Sequence, residues 1–136
     1  MCLVNATKIE TDKDIIGYKI EYYIKKENKW VSYFYDFEYE MQKLYILKTK
    51  INIVSRSWDK FDVINEGFHC FKYLEDAEKF VVIEKEYFSI HGYVKDIRIV
   101  ECIIPFNAEI YYGCDEGGII GYASNKIIIN KVIAEN

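Results

Sequence analysis

Three consecutive stretches decide the fold class: IIGYKIEYYI at residues 15–24, KKENK at 25–29 and WVSYFY at 30–35. Two runs rich in β-branched and aromatic residues flank a short polar break, which is the pattern of a β-hairpin. The same pattern recurs outward from it. Residues 44–54 read as one strand or two, 67–71 as a short strand, and 94–104 as a long strand stopped by Pro105. The long strand becomes apolar on both faces near its end, as a central strand does. Residues 109–112, 119–123 and 126–133 supply three more, and the turn cluster GCDEGG at 113–118 separates the first two of these. Residues 2–9 read as an edge strand and 55–66 as a loop. Only 74–81 has helical spacing, with Leu74, Ala77, Phe80 and Val81 on one side and Glu75 and Asp76 in the first turn. These readings predict an α+β fold, mostly antiparallel sheet with one or two short helices, in a single domain over residues 1–136.

Composition narrows the function. The chain has 136 residues, 51% apolar and 17% aromatic, enough to bury a core without metal or disulfide. Its formal net charge is −4, and only Arg56 and Arg98 are arginines. Nucleic-acid binders normally present a basic face and use Arg for bidentate recognition, so direct nucleic-acid binding is not expected. Cys2, Cys70, Cys102 and Cys114 have no CxxC spacing, and two of them sit in apolar runs. They read as buried hydrophobes of a reduced protein, with no metal and no cofactor expected. The first residues lack the basic start and apolar stretch of a signal peptide, and no apolar run is long enough to cross a bilayer, so a cytoplasmic protein without membrane contact is expected.

Four constellations invite a functional reading. Residues 36–41, DFEYEM, alternate strictly; as a strand they would place Asp36, Glu38 and Glu40 on one face and Phe37, Tyr39 and Met41 on the other. With Tyr33 and Tyr35 they form a candidate acidic, tyrosine-bearing surface for a protein with a basic face. His69 and Cys70 in GFHCF are adjacent, and adjacent strand residues point to opposite faces, so His69 does not activate Cys70 and no catalytic residue is expected. The glycine cluster at 113–121 lacks the Lys-Ser/Thr of a phosphate loop and carries Asp115 and Glu116 where an anion would sit. Lys19, His69, Tyr122, Ser124 and Lys126 are the groups available for a nucleotide pocket.

Several strings occur together in order: GFHCF at 67–71, LEDA at 74–77, VECIIP at 100–105, YYG at 111–113 and YASNKI at 122–127. This set resembles a loose group of small uncharacterised proteins of phages, gut bacteria and giant viruses. The resemblance implies a phage or mobile-element origin and an accessory role, and transfers no catalytic residue. A fainter resemblance runs to ADP-ribosyltransferase-type folds, from which the chain departs: Lys19 stands where that family's NAD-contacting Arg would be, and there is no Ser-Thr-Ser strand. The expectation is therefore a non-enzymatic phage-type viral protein acting in the bacterial host cell, an inhibitor that binds a host protein with a basic surface. A defence component such as a CRISPR effector fits, which would make it an anti-CRISPR or other anti-defence protein. The alternatives are a nucleotide-binding or nucleotide-sequestering domain and a phage structural component.

Overall fold

The structure, a computed structural model, describes residues 3–33, 36–56, 61–92 and 95–135. In chain order they form β1 (Val4–Ile9), β2 (Ile15–Ile24), β3 (Lys29–Ser32), β4 (Leu44–Ile46), β5 (Asn52–Arg56), β6 (Phe61–Glu66), β7 (Phe68–Phe71), α1 (Leu74–Ile90), β8 (Ile97–Ile104), β9 (Ile110–Cys114), β10 (Ile120–Ser124) and β11 (Lys126–Glu135). All eleven strands belong to one sheet, in the order β4-β11-β8-β2-β7-β10-β9-β1-β6-β5, with β3 pairing the far end of β2. Every strand pair is antiparallel.

Connectivity forces this sheet to curl. Its two end strands, β4 and β5, are joined by residues 47–51 alone. Six Cα steps reach at most about 20 Å, whereas ten strands laid flat would hold their edges about 43 Å apart. The sheet therefore rolls into a half-barrel. The short connection is tied down by the Leu47 N–H, which donates to the Asn125 carbonyl at 2.8 Å, and by the Thr49 hydroxyl, which donates to Glu66 at 2.8 Å.

Period-two alternation gives the sheet two working faces. Cys70, Val100, Cys102, Ile104, Ile110, Tyr122, Ile127 and Ile129 fill the inside of the curl. Ile20, Phe71, Ile97 and Ile99 form the outer face, on which α1 packs with Ala77 and Val81. A smaller outer cluster joins Leu3, Ile64 and Ala123.

Four expectations need correction. β1 is an interior strand, paired to β6 and β9; both neighbours come from far along the chain, where local sequence gives no hint of them. Much of the loop read at 55–66 is strand. In β6 the adjacent residues Val63 and Ile64 are both buried, which erases the alternation that would have marked it. The helix is single among the described residues and runs 17 residues to Ile90, well past residue 81. Its second half carries exposed Val82, Ile83, Tyr87 and Ile90, so no single apolar face marks it in the sequence. Finally, residues 37–40 form no strand.

Candidate functional site

That last segment is a strap across the mouth of the half-barrel. At one end the Ser32 N–H donates to the Phe37 carbonyl at 2.8 Å, and the Phe37 N–H donates back to Ser32 Oγ at 3.2 Å. At the other end Met41 bridges Ile129, and the Gln42 N–H donates to the Ile129 carbonyl at 2.6 Å. Asp36 and Gln42 take positive φ values of 50° and 59°, which turn the chain on and off the sheet. Between these anchors Tyr39 points inward onto the inner core, 5.0 Å from the Tyr45 ring and 6.3 Å from Phe68. Burial pushes its phenol pKa up.

The acidic residues of the strap all face solvent, as does Phe37. The stripe read from the sequence is thus exposed, but on an irregular segment. Each carboxylate has a local partner: the Tyr22 hydroxyl donates to Asp36, Lys29 approaches Glu38 at 3.9 Å, and Lys43 approaches Glu40 at 3.5 Å. Tyr33 stands on the helix side, 5.1 Å from the Phe80 ring, and its hydroxyl donates to Glu84 at 2.6 Å. Its ring also meets Tyr22, the partner of Asp36, edge-on at 6.2 Å. Tyr35 lies outside the described residues.

Beneath the strap lies a set of buried charges. Glu21, 1% exposed, accepts from Arg98 Nε and Nη2 through the same oxygen, both at 2.8 Å. Its second oxygen, Oε2, is buried and finds no partner among the described residues. Burial pushes the Glu21 carboxyl up, against the pull of Arg98. Trp30 covers the guanidinium at 4.4 Å. Beside the pair, Lys19 donates to the His69 carbonyl and sits 5.7 Å from the Tyr39 ring. Burial pulls its ammonium pKa down. Charge enclosed in this way needs full pairing to be tolerated, and its one sign at the level of sequence is a Glu inside an apolar strand.

Two thiols lie in the same layer. Cys70 and Cys102 flank Gly17 from the strands on either side of β2, and their side chains meet over the glycine. Two strand spacings place their Cα atoms about 9.6 Å apart, beyond the reach of a disulfide. Both cysteines are free and buried.

A notch of about 20 Å³ opens between β3 and β7, lined by Tyr18, Lys19, Tyr33, His69, Phe71 and Phe80 among others. It has room for a single water, whereas small-molecule sites span roughly 300–1,000 Å³. Of the residues considered for a nucleotide pocket, Lys19 and His69 reach it. Tyr122 is packed in the inner core, its ring tilted against Tyr112 at 5.6 Å, and Ser124, fully buried, donates to the Lys126 carbonyl at 2.7 Å. The five are not brought together around the notch. In the glycine turn, the Asp115 carboxylate accepts the N–H groups of Gly117 and Ile119, both at 2.9 Å. Those donors are consumed by the turn itself.

The His69 imidazole meets the Gly67 carbonyl through Nδ1 at 3.0 Å, while Nε2 is buried with no partner among the described residues. Burial, then the nearby Lys19 charge, pull its pKa down to about 4. The folded chain thus holds His69 neutral where the unfolded chain protonates it near 6.5. Its contribution is complete above pH 6.5 and is lost as pH falls from 6.5 towards 4, by up to about 3 kcal/mol. Urea titrations across that range should show this slope, and His69→Gln should flatten it; an unchanged slope would place the imidazole in solvent.

Among the described residues there is no group of three or more His, Cys, Asp or Glu side chains placed to hold a metal ion, and no helix long and apolar enough to cross a membrane. The chain matches no protein-family model, no curated protein and no solved structure.

Proposed function

We propose that this chain is a non-enzymatic accessory protein that binds a basic surface of a partner protein through its strap. The observation that carries this reading is Phe37. The residue is 46% exposed, yet its ring is held in place by Tyr39 at 4.7 Å and Tyr45 at 5.6 Å, with Asp36, Glu38 and Glu40 exposed around it. An aromatic ring on a packed aromatic base loses little entropy on contact, and a charged rim steers and selects the partner. The lysines now facing Glu38 and Glu40 do not oppose this. Exposed pairs of that kind are worth about 0–1 kcal/mol, so a partner's cations can replace them at little cost. A protein whose basic groove normally holds nucleic acid has the matching chemistry, and an inhibitor of a phage-defence effector is the biological form of this reading.

The test is affinity capture from lysate of the host cell, with parent, D36K/E38K/E40K and Phe37→Ala chains as baits. The expected result is a partner whose capture falls with salt and is lost with both variants. Retention of the same partner by the triple-Lys chain would rule out the strap.

A further inference from the structure

We infer that the outward face of α1 is a second docking surface, independent of the strap, and that its occupant is a basic amphipathic helix of another protein. The helix already buries one side on the sheet through Leu74, Ala77, Phe80, Val81 and Phe88. A globular helix with one buried side is normally polar on the other. This one carries Val82, Ile83, Tyr87 and Ile90 outside, each between 55 and 74% exposed. Ile83, Tyr87 and Ile90 stand at i, i+4 and i+7, the spacing with which one helix grips another.

Charge identifies the occupant. Five carboxylates and two lysines give α1 a net charge of −3, against −4 for the whole chain. Glu75 and Asp76 suit the N-terminal end of the helix dipole, and Glu84 accepts the Tyr33 hydroxyl. Glu86, in the C-terminal half where carboxylates are unfavourable, has no such reason. None of Glu75, Asp76, Glu78 and Glu86 is in an ion pair among the described residues. An apolar strip set among unpaired carboxylates is complementary to a helix with an apolar strip flanked by Lys and Arg. A second copy of this chain would oppose two such acidic faces, and like charges across a contact are costly.

The probe is a labelled 18-residue Leu/Lys amphipathic peptide, with a Leu/Glu peptide of the same pattern as control, titrated by anisotropy into the full chain. The expected result is saturable Leu/Lys binding at least tenfold tighter than Leu/Glu. I83S/I90S and, separately, E75K/E86K should each weaken it tenfold or more with little change in melting temperature. D36K/E38K/E40K should leave it intact, which separates this surface from the strap. Equal binding of both peptides, or loss with the strap variant alone, would overturn the assignment. So would a dimer in light scattering that I83S/I90S dissolves, since the occupant would then be a second copy.

Discussion

Arg98→Met is expected to destabilise the fold by about 3–5 kcal/mol, the usual consequence of removing one partner of a buried ion pair. For a chain of this length that lowers the melting temperature by roughly 10–20 °C. The size of the effect comes from what is left behind. Glu21 is 1% exposed, and one of its oxygens already lacks a partner among the described residues. Without the guanidinium the other oxygen loses both of its Arg98 contacts. The pH dependence follows from the direction of the Glu21 shift. A carboxyl whose folded pKa is raised contributes stability that is full below its unfolded pKa and lost as pH rises through the folded value. The deficit of Arg98→Met should therefore shrink on acidification, because protonated Glu21 needs no cation. E21Q/R98M, which removes the charge along with its partner, should recover most of the loss. Melts at pH 7 and pH 4 on the three chains check this; a deficit that is small at pH 7, or that grows in acid, would mean the pair is solvated.

Gly17→Ala is expected to cost about 1–3 kcal/mol, although alanine is better suited than glycine to a strand interior. An added Cβ would lie 2.4 Å from Cys70 Sγ, 3.1 Å from the Phe71 carbonyl oxygen and 3.3 Å from Cys70 Cβ. Cys70 Sγ cannot easily swing away, because Cys102 occupies the space beside it. Cys70→Ala removes the closest of these atoms. The double variant G17A/C70A should therefore be more stable than the two single effects predict, by at least 1 kcal/mol, as neighbouring sites in one packed layer couple. Rescue should be partial, since the Phe71 carbonyl stays in place. Strict additivity in denaturant midpoints would show that the glycine is there for some reason other than the thiols.

The strand-rich part of this fold was legible in the sequence because the hairpin at 15–32 and the long strand ending at Pro105 are announced by β-branched runs and clear breaks. What could not be read is long-range. β1 looks like an edge because its partners, β9 and β6, lie far along the chain. The strap shows the same limit. Its alternation DFEYEM is real, and it does send Tyr39 inward and the carboxylates outward, but it meets a neighbouring strand only at its end, where Met41 bridges Ile129, and residues 37–40 cross the sheet instead. For the same reason Phe37 is exposed when alternation would bury it. The Glu21–Arg98 pair escaped because 77 residues separate two groups that only strand register brings opposite each other. The outer face of α1 escaped because its apolar residues contradict the single-sided periodicity by which a helix is recognised.

The inside of the half-barrel is filled by packed side chains and buried charge, and the proposed function lies with the outer surfaces. The most direct test is a thermal-shift panel of the purified chain against NAD and cyclic nucleotides at millimolar concentration, with the Leu/Lys peptide alongside. A ligand present at 100 times its dissociation constant adds about 2.7 kcal/mol, a shift of several degrees. No shift is expected with any nucleotide, and a saturable one with the peptide. A shift of several degrees with NAD or a cyclic nucleotide would contradict this, and would make the strap the cover of a small-molecule site.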